Sequence, residues 1–261
     1  MWFGALDSRR GTDASGVWRW SLRACLCATA LFIASPASAV EPINYCYNIW
    51  APYAFQGERG LSGVSVDVMR EATARAGYVA VFAELPWNRC LQAVRDGRQH
   101  AVLDAARRPG FLQGPSSYSA YSNTFWVRGD SPVDRPELSV MRGLRIGLVE
   151  GYDYPSDILQ GIRTYELVVD YSVDDGTNLR KLMFDRIDVI VADRVSTMWA
   201  LRGKESDLHA VDPDHSVDML YPSFGAAFPE RQRQVDRAIR LMLDDGSIEA
   251  TYRAYLGDDR G

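Results

Sequence analysis

Short apolar segments alternate along this chain with longer stretches whose apolar residues recur at helical spacing, and that alternation restricts it to an α/β fold of helix-covered strands. Ile43–Tyr47 reads as a buried strand and precedes the helical pattern Val66, Met69, Ala72 and Ala76, which Gly77 can end. Tyr78–Ala83 is another strand. Pro86 then opens a helix with Leu91 and Val94 on one face, Gly97 closes it, and Ala101–Leu103 is the next strand. A second copy of this unit lies 88 residues further on, where Leu179, Leu182, Arg186, Val189, Ile190 and Val191 align without gaps to Leu91, Val94, Arg98, Ala101, Val102 and Leu103. Two similar lobes are expected, although packing alone gives any two such units part of this likeness.

Between the copies, Arg128-Gly129-Asp130-Ser131-Pro132 and Arg135-Pro136 form a polar connection, after which Leu144–Val149 opens a new strand ending at Gly151. Near the end, Ser223–Phe228 reads as a strand and Pro229 as a helix start. Val235, Ile239 and Met242 give a helical stripe that Asp245-Gly246 stops, and Ile248, Tyr252 and Tyr255 mark a last helix. A C-terminal segment that returns to the first lobe makes two crossovers, as in a cleft that closes on a hinge.

Ala24–Ser35 is one apolar run, preceded by Arg19 and Arg23 and followed by the small-residue site Pro36-Ala37-Ser38-Ala39, so residues 1–39 read as a secretory signal peptide. The run falls short of the ~20 residues that cross a hydrocarbon core. Cys25 and Cys27 lie inside it rather than after it, which argues against a lipoprotein. Asp7 and Asp13 lengthen the segment before Trp18, which places the expected start of translation nearer Val17. An exported, periplasmic protein is expected, with Cys46 and Cys90 either bridged or present as two buried thiols. The whole chain carries 34 acidic and 29 basic residues, a net charge of -5, and the leader takes four arginines with it. No basic face is left for nucleic acid.

His100, His209 and His215 stand in no zinc-ligand spacing, and there is no G-x-S-x-G, P-loop or G-x-G-x-x-G pattern. No metal, cofactor or catalytic residue is expected. Asp174-Asp175 and Asp244-Asp245 neighbour turn glycines and read as solvated turn or cap residues. The informative residues are aromatic: Tyr45, Tyr47, Trp50 and Tyr53 around the end of the first strand, Trp87 at a helix start, and Tyr152 and Tyr154 flanking Asp153. Ligands of open α/β sheets bind beyond the carboxyl ends of strands, and such rings supply both contact area and a polar handle. As a set they point to a binding cleft.

Trp50-Ala51-Pro52-Tyr53, Gly60 to Asp67, Pro86-Trp87-Asn88-Arg89 and Gly97-Arg98 are followed in order by Leu144 to Gly151, Asn178 to Leu182, Arg186 to Asp193 and Asp245-Gly246 to Gly257. In this order and spacing, over essentially all of 40–257, the chain resembles a family 3 extracellular solute-binding protein, the periplasmic type associated with polar amino-acid ABC importers. The resemblance implies a two-lobed periplasmic binding protein fold of type II, with lobe 1 over 40–127, lobe 2 over 128–222, and the hinge return and closing helices over 223–261. It implies two hinge strands, a small-molecule ligand in the cleft (an amino acid or related metabolite), an ABC permease at the inner membrane as partner, and a monomer. Trp50 matches the aromatic that covers the ligand, Tyr47 a polar contact, and Trp87 the wall at a helix start, with Tyr53 in the same aromatic group. Tyr152 and Asp153 match a loop whose backbone N–H groups receive a carboxylate. Asp193 matches the carboxylate that receives an α-ammonium; a helix cap or an ion pair with Arg194 is the alternative.

The sequence departs from the family where a T-x-x-R arrangement would fork the ligand carboxylate. Here it reads Asp104-Ala105-Ala106-Arg107-Arg108-Pro109-Gly110-Phe111, with Phe111 at the arginine position. Arg107 or Arg108 could reach the same place from a shifted turn, or Arg108 could pair with Asp104. Two other functions stay open: an enzyme on this fold, such as a cyclohexadienyl dehydratase using Asp104 or Asp193, and a ligand-sensing accessory module.

Overall fold

A computed structural model of the protein describes residues 40–58 and 60–257. The expected signal peptide, residues 1–39, lies outside the described residues. β1 (Pro42–Tyr47) leads into a hairpin of β2 (Phe55–Gly57) and β3 (Gly60–Ser62), then α1 (Val64–Arg75). Gly63, with φ 134°, makes that entry: a Cβ there would stand 2.2 Å from the Tyr53 carbonyl oxygen. β4 (Val79–Glu84), α2 (Trp87–Arg95) and β5 (Ala101–Ala105) complete the first strand–helix group. β6 (Ser119–Arg128) carries the chain onward to β7 (Arg145–Val149), α3 (Ser156–Thr164), β8 (Val168–Ser172), α4 (Asp175–Met183), β9 (Val189–Ala192) and α5 (Arg194–Leu201). β10 (Leu208–Phe224) returns it to α6 (Pro229–Asp244) and α7 (Ser247–Leu256).

The strands order as β4-β1-β5-β10-β6-β9-β7-β8. β1, β4 and β5 are mutually parallel at one end, and β7, β8 and β9 at the other. Between them run the long antiparallel strands β6 and β10. Each parallel group has its own apolar core: Ile43, Met69, Leu103 and Phe224 belong to the first, Phe125, Ile146, Ile158 and Val191 to the second.

The repeated unit is visible in three dimensions. α2 with β5, and α4 with β9, each end on the same turn, in which the Arg98 N–H donates to the Ala93 carbonyl at 2.8 Å and the Arg186 N–H to the Lys181 carbonyl at 2.9 Å. The left-handed residue of that turn is Gly97 in one copy (φ 73°) and Asp185 in the other (φ 56°). The strand expected over Ser223–Phe228 is instead the last part of β10, which stops at Phe224. Gly225 turns the chain there, its N–H donating to the His100 carbonyl and its own carbonyl accepting from Phe228. A Cβ on Gly225 would lie 2.7 Å from the Val94 carbonyl oxygen, so the apolar residues 226–228 form a tight turn into α6.

Cys46 on β1 and Cys90 on α2 form a disulfide, with Cα atoms 5.6 Å apart. Among the described residues no helix is long and apolar enough to cross a membrane.

Candidate functional site

The chain just past the carboxyl ends of β1, β5 and β7 converges on one cleft of about 530 Å³, counting its open mouth. β1 leads to Asn48 and Trp50, β5 brings Asp104, Ala106 and Arg108, and β7 leads to Tyr152, Asp153 and Tyr154. Trp87 comes from the first position of α2, Tyr121 from β6, and Asp218 and Leu220 from β10. Strand ends from both parallel groups thus line one cavity.

Its walls are aromatic. The Trp50 ring stacks on Tyr53 at 4.1 Å and lies nearly parallel to Tyr121 at 5.9 Å. Tyr152 meets Tyr121 and Trp87 edge to face at 6.1 and 5.8 Å. Two polar contacts close one side of the cleft. Trp87 Nε1 donates to the Gly151 carbonyl at 2.9 Å. Arg108 lies over the Trp87 ring and reaches the same loop, its Nε donating to the Asp153 carboxylate at 2.7 Å and its Nη2 to Asp153 and the Gly151 carbonyl. Gly151 (φ 82°) is required for this approach, because a Cβ would stand 2.0 Å from Asn88 Oδ1.

Of the residues singled out from sequence, Trp50, Trp87, Asp104, Arg108, Tyr152 and Asp153 therefore lie together on the cleft wall, with Tyr53 behind Trp50. Arg107 turns to a neighbouring opening, stacked over Tyr221 and donating to the Gly114 carbonyl at 2.9 Å. Tyr47 belongs to the first core, where its hydroxyl accepts from Gln56 at 3.2 Å. Asp193 sits at the start of α5: Oδ1 accepts from the Ser196 N–H at 2.7 Å and Oδ2 from the Ser122 N–H at 3.0 Å. Arg194 pairs with Asp212 and Asp214, and Arg108 with Asp153 rather than Asp104. In the loop after β7, the Tyr152 N–H is already spent on the Val149 carbonyl.

Sequence reasoning did not reach Asn48, Tyr121, Asp218 or Asp175. Tyr121 and Asp218 sit mid-strand on β6 and β10 rather than at strand ends. Asp175 corrects an expectation. Asp174 does cap α4, accepting from the Thr177 N–H at 2.6 Å, but Asp175 is not a solvated turn residue. Its carboxyl is enclosed, with Oδ2 accepting from the Tyr152 hydroxyl at 3.3 Å and Oδ1 lacking any partner.

Burial pushes the Asp104 carboxyl up to about 6, that of Asp193 to about 6, and that of Asp175, raised further by Asp193, to about 7. Ser65 Oγ, donating to Asp104 Oδ1 at 2.7 Å, only partly offsets this. A carboxyl whose folded pKa lies above its unfolded value holds its proton more tightly in the folded chain. Stability is therefore lost as pH rises through 6 to 7 and gained as pH falls toward 5. His100, lowered by burial and by Arg231, works in the opposite sense below its ordinary 6.5. At ~1.4 kcal/mol per pKa unit, Asp104 and Asp193 each contribute about one unit between pH 5 and pH 8 and Asp175 about two, more than His100 can offset, and the ligand-free protein is expected to be several kcal/mol more stable at pH 5 than at pH 8. Urea midpoints at the two pH values check this; equal midpoints would mean that the carboxyls are solvated.

This sheet of two parallel ends joined by two antiparallel strands, with one cleft at the strand ends, is the type II periplasmic binding protein fold. The chain belongs to the bacterial extracellular solute-binding proteins of family 3, whose family model matches residues 43–258. No curated protein matches it in sequence. Among solved structures it is similar to an ancestral arginine-binding protein bound to arginine, at 15% identity over 83% of this chain and 98% of that one, with a TM-score of 0.75. It is also similar to a histidine kinase sensor domain (18% identity, 84% and 97% covered, TM-score 0.74). A putative L-cystine ABC transporter protein from Listeria monocytogenes matches at 20% identity, 84% and 98% covered, with a TM-score of 0.72. At these identities the likeness is one of fold.

Proposed function

We propose that the protein, exported to the periplasm through a signal peptide over residues 1–39 that is then cleaved, captures a small polar ligand such as an amino acid or related metabolite and presents it to an ABC permease at the inner membrane. Lobe 1 comprises 40–127 and 223–261, lobe 2 comprises 128–222, and β6 and β10 are the hinge strands. The observation that carries this reading is the cleft itself, whose aromatic walls come from both parallel groups and are tied together by Trp87–Gly151 and Arg108–Asp153. Trp50, Trp87, Asp104, Arg108, Tyr152 and Asp153 contact the ligand, and Tyr53 and Asp193 support them from behind. Contacts made by both lobes shift the population toward the closed form.

Capture needs no bond to break, and the protein binds its ligand without turnover. The contrary reading has one observation in its favour: Asp104 is a cleft carboxyl raised to about 6, near enough to neutrality for general acid–base work. A thermal-shift screen against amino acids, amines, organic acids, short peptides and prephenate tests both. A specific ligand at ~100 times its Kd adds about 2.7 kcal/mol, or roughly 5–10 °C for a chain of this size. A blank across the screen overturns solute capture, and consumption of prephenate or arogenate makes the protein an enzyme.

A further inference from the structure

Building on solute capture in this cleft, we infer that its ligand is an organic cation without a carboxylate, an amine or quaternary ammonium compound, rather than an α-amino acid or an anion. The first ground is that the arginines expected to fork a carboxylate are committed elsewhere. Arg108 spends Nε and Nη2 on Asp153 and the Gly151 carbonyl, and Arg107 is stacked on Tyr221 with its guanidinium donating to the Gly114 carbonyl. Phe111, at the family's arginine position, lies under Arg95 instead.

The second ground is charge. The cleft wall carries Asp104, Asp153 and Asp218 against Arg108 alone, and Arg108 is matched by Asp153. Behind the wall, Asp193 and Asp175 add two enclosed carboxyls, and Asp175 Oδ1 has no donor. The groups acting on Asp104, Asp175 and Asp193 are hydroxyls, backbone N–H groups and other carboxylates, none of them a cation. Enclosed carboxylates without a counter-charge are costly. A cation in the cleft supplies that counter-charge, whereas an anion adds to the repulsion and, to be forked by Arg108 through two nitrogens, must displace Asp153 or the Gly151 carbonyl from it. The third ground is the wall: the Arg108 guanidinium already rests 5.6 Å from the Trp87 ring centre, so the aromatic surface accepts a cation.

Matched pairs test this, two that differ only by a carboxylate, agmatine against arginine and putrescine against ornithine, and one in which a hydroxymethyl group replaces it, choline against glycine betaine, all titrated calorimetrically into the purified protein at pH 8. The expected result is that the carboxylate-free member of at least one pair binds tenfold or more tighter than its partner. Asp218→Asn, which keeps the shape that meets the Asn123 side chain, weakens that binding about tenfold. Tighter binding of the carboxylate-bearing member in every pair that binds overturns the inference, as does no binding of any amine. Binding of glutamate or succinate in that second case leaves solute capture standing; a blank there as well removes both.

Discussion

Reducing the Cys46–Cys90 disulfide lowers the stability of the folded protein by about 2–4 kcal/mol, and its melting temperature by roughly 5–15 °C. The bridge joins residues 44 apart in sequence, closing a loop that contains the β2–β3 hairpin, α1 and β4. Opening it restores to the unfolded chain the freedom that closure had removed. Both sulfurs are fully buried among Trp87, Leu91, Val94 and Val102, so reductant reaches them only when the first lobe opens. Reduction is therefore slow in native buffer and fast in denaturant. The same bridge bears on the site, because Cys90 stands one turn after Trp87, whose indole holds the Gly151 carbonyl. With α2 no longer stapled to β1, tryptophan fluorescence and ligand affinity should both change. The melting temperature of the wild type before and after reduction in denaturant is the measurement, with alkylation mass of the unfolded chain, with and without reduction, as the check on the thiols. An unchanged melting temperature would mean that packing around the cysteines carries the whole contribution.

What the sequence shows and hides here divides along the distance between partners. α1, α2 and α6 were legible because their signals are local: an apolar stripe in register with 3.6 residues per turn, Gly77 and Gly97 in left-handed turns, and Pro229 at a helix start. The duplicated unit was legible for the same reason. β6 and β10 were not. They mix Ser119, Ser122 and Asn123, or Asp212, Asp214 and His215, with apolar residues, and Pro213 inside β10 reads as a break. They are strands because they pair with each other across some 90 residues, a fact no local window contains. The cleft follows the same rule. Aromatic residues at strand ends announced it, but Arg108 finds Asp153 across 45 residues, and Asp175 is enclosed through Tyr152, 23 residues away. From sequence Asp175 is one half of an Asp-Asp pair before a glycine; in the fold it is a carboxyl held by Tyr152 through Oδ2 whose buried Oδ1 lacks a donor.

Asp193 carries the other large expected effect, and there the fold sets two contributions against each other. Its two oxygens hold the Ser196 N–H at the start of α5 and the Ser122 N–H on β6, with the side chain 1% exposed. Asp193→Ala loses a helix cap, about 1 kcal/mol, and leaves the half-buried Ser122 N–H without its acceptor, about 1–2 kcal/mol more. Against this, the variant removes a buried charge that is itself unfavourable above pH 6 and that raises Asp175. The net loss is expected to be about 3 kcal/mol at pH 5, where Asp193 is largely protonated, and distinctly smaller at pH 8, where relief of the charge offsets the lost hydrogen bonds. Asp193→Asn keeps one acceptor without the charge and should fall between the wild type and the alanine variant at pH 5. Denaturant midpoints at the two pH values measure both. Because the carboxylate is spent on backbone donors, ligand affinity should change less than tenfold in the folded Asn variant. A hundredfold loss with stability intact would instead make Asp193 a direct partner of the ligand's ammonium, with the cation placed deeper than Trp50, against the start of α5.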